Sequence, residues 1–121
     1  MKTIKQRGEN DCGVACVAML ADVSYEEARN AIYAKGKAKL TKTKDLHIAL
    51  TVLGREPLSD RRKPFGSKSP DDLDKDALMF AMLDNEEGSK HWVVWDSKKR
   101  KVRDPYPNKL TYRLRGYLCV D

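Results

Sequence analysis

Cysteine is the residue type in this sequence best suited to covalent chemistry, and one of its three cysteines stands where that chemistry is favoured. In GENDCGVACVAML (8–20) a charged loop gives way to an apolar stretch, with Cys12 at the join. A thiol at the start of a helix meets unpaired backbone N–H groups and the positive end of the helix dipole, and both stabilise a thiolate. Gly13 keeps side-chain bulk away from the sulfur. The competing reading is a small core residue, and the helix pattern alone does not separate the two. An attacking thiol needs a base within hydrogen-bond reach, and the base needs an acceptor that orients it. Of the two histidines, His47 lies in a helical stretch near its apolar face, a structural position. His91 opens the β-rich run HWVVWD, at the rim of a sheet.

Asp104, in VRDP, is the candidate acceptor. If the turn between the two β-rich runs holds an even number of residues, Asp96 pairs with Lys101, Trp95 with Val102 and Val93 with Asp104. Strand alternation then makes Asp104 the diagonal neighbour of His91 on one face. An odd turn sends Asp104 to the other face. A turn aspartate before Pro105 is the plainer alternative. A tetrahedral oxyanion needs donors. The backbone N–H of Cys12 is one, and the side-chain amide of Gln6 is another, although a lone loop glutamine is ordinarily solvated surface.

The elements that must position these groups are legible from periodicity and caps. Cys12 to Ala21 reads as a buried helix with Asp11 as N-cap. Ser24 begins a second helix, with Glu27 completing a capping box and Gly36 as its stop. A third spans about 42–53, with Leu46, Ala49, Leu50 and Leu53 on one face and Gly54 as its end. Residues 55–70 read as loop with room for one short strand. Ser69 and Pro70 mark a helix start. ALMFAML (77–83) is apolar throughout and fits either a helix or a buried strand. HWVVWDSKKRKVRDPYP (91–107) is a hairpin, and 117–120 is the last strand. Helices first and an antiparallel sheet second give an α+β class in one domain, residues 1–121.

Composition narrows the options. The net charge of +6 permits an anionic partner, but the basic clusters 61–63 and 98–103 carry none of the interleaved aromatics of a nucleic-acid stacking platform. No run approaches the roughly 20 apolar residues of a membrane span. The start, MKTIKQRGEND, lacks the apolar stretch of a secretory signal. Three cysteines cannot all pair within one chain, so the expected compartment is reducing, hence cytoplasmic. Cys12 and Cys16 stand one helical turn apart, but no second Cys/His pair has zinc-ligand spacing, so no metal and no cofactor are expected.

QRGENDCGVACVAML, then HWVVWD, then VRDP resembles the bacteriocin-processing (double-glycine) cysteine peptidases. These are papain-like domains often fused to peptide-exporting ABC transporters. The resemblance spans about residues 2–120, strong at those three places and weak across 22–75. It implies a papain-like fold, with Cys12 as nucleophile, His91 as general base, Asp104 as the residue that orients the histidine and Gln6 as oxyanion donor. Cys16, where the family often has a further cysteine, is then core. The implied substrate is a peptide or protein cut after a Gly-Gly pair at the end of a leader, in a tight cleft walled by Trp92 or Trp95. No membrane or nucleotide-binding domain follows, so an ABC transporter partner would be a separate chain. The alternatives are a papain-like module that binds peptides without cutting them and a basic nucleic-acid-binding protein.

Overall fold

The run that begins at Cys12 has no polar face, and a helix that is apolar all round must be surrounded. In the computed structural model, which describes residues 1–33, 42–85 and 89–121, α1 (Cys12–Ala21) is buried at every residue from Cys12 to Leu20. It packs against a sheet and against two further helices. In α2 (Tyr25–Ile32) the Ser24 hydroxyl accepts the backbone N–H of Glu27 at 3.1 Å, as the capping pattern predicts. The stop expected at Gly36 lies outside the described residues. In α3 (Thr43–Val52), Leu46, Ala49 and Leu50 are buried. Gly54 follows with φ 86°, a left-handed conformation that glycine adopts without steric cost.

The second half forms five strands: β1 (Lys63–Pro64), β2 (Ala77–Leu83), β3 (Lys90–Asp96), β4 (Lys101–Arg103) and β5 (Tyr112–Cys119). They make one antiparallel sheet in the order β1-β5-β2-β3-β4. The described residues are therefore α+β, helices before sheet. ALMFAML resolves as a strand because it lies in the middle, between β5 and β3, where both faces are covered and no polar alternation is needed. Leu78, Trp92, Val94 and Leu118 pack under the helices. Ala77, Met79, Val93, Trp95 and Tyr117 form a second cluster with Phe65 and Leu73.

Two expectations are corrected. Ser69 and Pro70 open only a single 3-10 turn, Pro70–Asp72, because the charged residues after Leu73 offer no apolar stripe to continue a helix. The last strand starts at Tyr112 rather than Tyr117. Its first half alternates half-buried Tyr112 and Leu114 with exposed Arg113 and Arg115, a one-sided strand that pairs with β2 from Leu83↔Tyr112 onward. The β3–β4 hairpin has the even turn: Asp96 pairs with Lys101, Trp95 with Val102 and Val94 with Arg103.

Candidate active site

The β3–β4 ladder ends at Arg103, so the chain beyond it is free to bend toward the start of β3. Asp104 does so. Its Oδ1 lies 2.7 Å from His91 Nε2 and also accepts the backbone N–H of Tyr106 at 2.9 Å. Since Asp104 occupies Nε2, Nδ1 is the nitrogen left for a second partner, and Cys12 lines the same cleft. Burial by itself lowers the pKa of the imidazole. The neighbouring Asp104 and Cys12 reverse that and raise it to about 9. The ring is flanked by those of Tyr106 and Tyr112 at 6.4 and 6.1 Å between centroids.

Cys12 is the first residue of α1 and is almost wholly buried. Its N–H belongs to the first turn, whose donors have no partner inside the helix. Cys16, one turn on, is fully buried, and that burial pushes its thiol pKa well up. It is a core residue.

Asp11 is the N-cap residue as expected, and its carbonyl accepts the N–H of Ala15 at 3.3 Å, but its side chain makes no cap hydrogen bond. Its carboxylate turns back to the preceding loop, where it accepts the N–H groups of Arg7 (2.6 Å) and Gly8 (2.8 Å) and the hydroxyl of Tyr25 (2.6 Å). Burial pushes the Asp11 carboxyl up, and these hydrogen bonds outweigh it, so its pKa falls below the ordinary value. Three donors on one carboxylate hold the loop that carries Gln6. The position of Asp11 beside Cys12 was a visible signal for this role. Nothing in the sequence marked Tyr25 as its partner.

Gln6 is buried, and its Nε2 donates to the Gly8 carbonyl at 2.8 Å, which leaves one amide N–H. Its Oε1 is buried without a hydrogen-bond partner among the described residues. The same segment is stitched to the Asp104 loop. The Gln6 backbone N–H donates to Pro105 O at 2.8 Å, and Lys5 Nζ donates to the carbonyls of Asp104 and Tyr106 at 3.2 and 3.3 Å.

Gln6, Cys12 and His91 line one cleft of about 650 Å³, together with Phe80, Trp92 and Tyr106. Asp104 stands behind the histidine. Of the two tryptophans, Trp92 walls the cleft. Trp95 belongs to the other cluster and donates its indole N–H to Leu73 O at 3.2 Å. His47 is not part of the cleft lining and contacts Ser59 O at 3.1 Å. A smaller cavity of about 250 Å³, beside Leu73, Tyr117 and Cys119, contains none of the four predicted residues.

All four predicted residues thus come together. A thiol and an imidazole on one cleft, the imidazole hydrogen-bonded to a carboxylate, together with an amide and a helix N-terminus, have the groups that acyl transfer requires. Among the described residues no group of three or more His, Cys, Asp or Glu is placed to hold a metal ion, and no helix is long and apolar enough to cross a membrane. No family model matches the chain, and no curated protein matches it.

Proposed function

We propose that this chain is a papain-like cysteine peptidase that cuts a peptide after a Gly-Gly pair. The reading is carried by the series Cys12–His91–Asp104, with 2.7 Å between His91 Nε2 and Asp104 Oδ1. Cys12 and His91 act as a thiolate–imidazolium pair. The sulfur attacks the scissile carbonyl carbon, and the carbonyl oxygen becomes an oxyanion held by the Cys12 N–H and the remaining N–H of Gln6. As the intermediate collapses, the C–N bond breaks, His91 gives its proton to the leaving amine, and the acyl group stays on sulfur as a thioester. The neutral imidazole then takes a proton from water, the hydroxide attacks the thioester, and the acid leaves with the pair restored. Asp104 fixes the ring and balances its charge throughout.

Cys12, Cys16 and Cys119 are all unpaired, which suits a reducing compartment, and we place the protein in the cytoplasm. An ABC transporter is the natural consumer of a trimmed peptide.

The test is cleavage of Gly-Gly peptides under reducing conditions by the wild type and by Cys12→Ala. Cleavage by the wild type alone is expected, and equal rates, or none across a broad panel, overturn the reading. A module that binds without cutting is favoured by one observation, the engagement of Gln6 Nε2 with Gly8 O. A thiol-reactive probe separates the two: labelling of Cys12 at mildly acidic pH is the enzyme's signature, and an unreactive Cys12 is the binder's.

A further inference from the structure

One wall of the cleft is built by Phe80 and Trp92, packed edge to face with centroids 5.3 Å apart. Arg62 lies against that wall. Its guanidinium carbon is 3.9 Å from the Phe80 ring centre and 5.8 Å from that of Trp92. The arginine sits just before β1, two strands away from Phe80, and Gly116 opens the way across β5. A Cβ at Gly116 would stand 3.2 Å from Lys63 O and within 3.6 and 3.7 Å of Arg62 Cβ and Cδ. The rings hold the cation against the wall, and its N–H groups meet no acceptor among the described residues.

Among the described residues Arg62 shares with Arg29, Arg61 and Arg115 the lack of a carboxylate partner, and of these four it is the one held on the cleft wall. Arg7, Arg55, Arg100, Arg103 and Arg113 each meet a carboxylate. Arg62 has ring contacts only, with no acidic partner among the described residues. Partial burial lowers its pKa, as expected for a cation that has lost water without gaining an anion. Arg62 backs the wall from outside the cleft lining, and among the described lining residues Lys42 and Lys90 face one carboxylate, Glu9.

We propose that Arg62 is a specificity-determining residue that receives an aspartate or glutamate carboxylate of the bound peptide at the Phe80–Trp92 wall, so that the substrate carries an acidic residue beside its cleavage site. This rests on the reading of the cleft as a peptide site. A carboxylate fits a guanidinium fork with two parallel hydrogen bonds, and the aromatic wall keeps water from one side of the pair.

The experiment uses fluorescein-labelled peptides built around Gly-Gly, in matched sets with Glu or Gln at each position in turn. Anisotropy reads their binding to the Cys12→Ala protein. One Glu position is expected to bind about five- to tenfold tighter than its Gln match. Arg62→Gln in the same background erases that difference and leaves the Gln peptide within about twofold. Arg62→Lys keeps part of it, since charge survives and the fork does not. Thermal midpoints establish that both variants fold. No Glu preference at any position, equal losses for both peptides with Arg62→Gln, or binding of an oligonucleotide but of no peptide would each overturn the proposal. A Glu preference without cleavage by the wild type keeps acidic recognition and removes the peptidase. Cleavage without a Glu preference does the reverse.

Discussion

At one end of β3, Asp96 meets Arg103, and at the other His91 meets Asp104. Both contacts join β3 to the segment that follows the hairpin turn, at 2.8 and 2.7 Å. Asp96 is saturated. Its Oδ1 accepts the N–H groups of Lys98 and Lys99, its Oδ2 accepts from Arg103 Nε and Nη2, and Arg103 Nη1 donates to Thr3 Oγ1. Both side chains are more than nine-tenths buried. Burial pushes the Asp96 carboxyl up, but the Arg103 and Lys99 hydrogen bonds hold its pKa below the usual range. His91, by contrast, has one carboxylate partner and lies on the cleft that Cys12 also lines. One hairpin therefore carries a closed pin and an open pair. The pin holds the strand in register so that the pair keeps its distance.

The largest effect that tests this division is at the thiol. Cys12→Ala should lower peptide cleavage by at least about 10⁴-fold while circular dichroism shows an intact fold. Next comes the pin. Arg103→Ala leaves Asp96 buried without its cation and should cost about 3–5 kcal/mol in urea unfolding, with the protein that remains folded still cutting peptide. Asp104→Asn should do the opposite, lowering kcat/KM by about 10²-fold with less than about 1 kcal/mol of stability lost. If both variants lose stability alike, the two ends of β3 are not different in kind.

The ends should also fail at opposite extremes of pH. The His91 pKa is raised on folding, so its contribution is complete below about 6.5 and is lost as pH climbs through about 9. The Asp96 pKa is lowered, so its contribution is complete above about 4 and is lost as pH falls below that. His91→Gln should flatten only the alkaline limb of a stability–pH curve. The smallest effect is Tyr25→Phe. It removes one hydrogen bond to the Asp11 carboxylate and should cost about 1–2 kcal/mol in thermal or urea unfolding.

The hairpin register was legible only as two alternatives, an even or an odd turn; the even one forms, but the ladder stops at Arg103, so the expected pair of Val93 with Asp104 is replaced by a bend of the chain toward His91. The Ser24 cap and the Gly54 stop were legible because cause and effect lie within a few residues. ALMFAML could not be assigned because only neighbours distant in sequence decide whether both its faces are covered. The start of β5 was hidden because Arg113 and Arg115 give the strand a polar outer side. Asp11 was legible as the N-cap residue, and only the approach of Tyr25 and the fold of 7–8 explain why its carboxylate turns away from its own helix. Arg62 was legible as charge alone, and its place on Phe80 depends on Gly116 of the intervening strand β5.

The stitching of Lys5 and Gln6 to 104–106 spans 99 to 101 residues of chain. As the polypeptide grows on the ribosome, the sulfur emerges first and has neither ring nor carboxylate beside it. The reactive pair is born only when the last strands dock against the amino-terminal segment. The amino-terminal segment thus finds its partners only once nearly the whole chain exists.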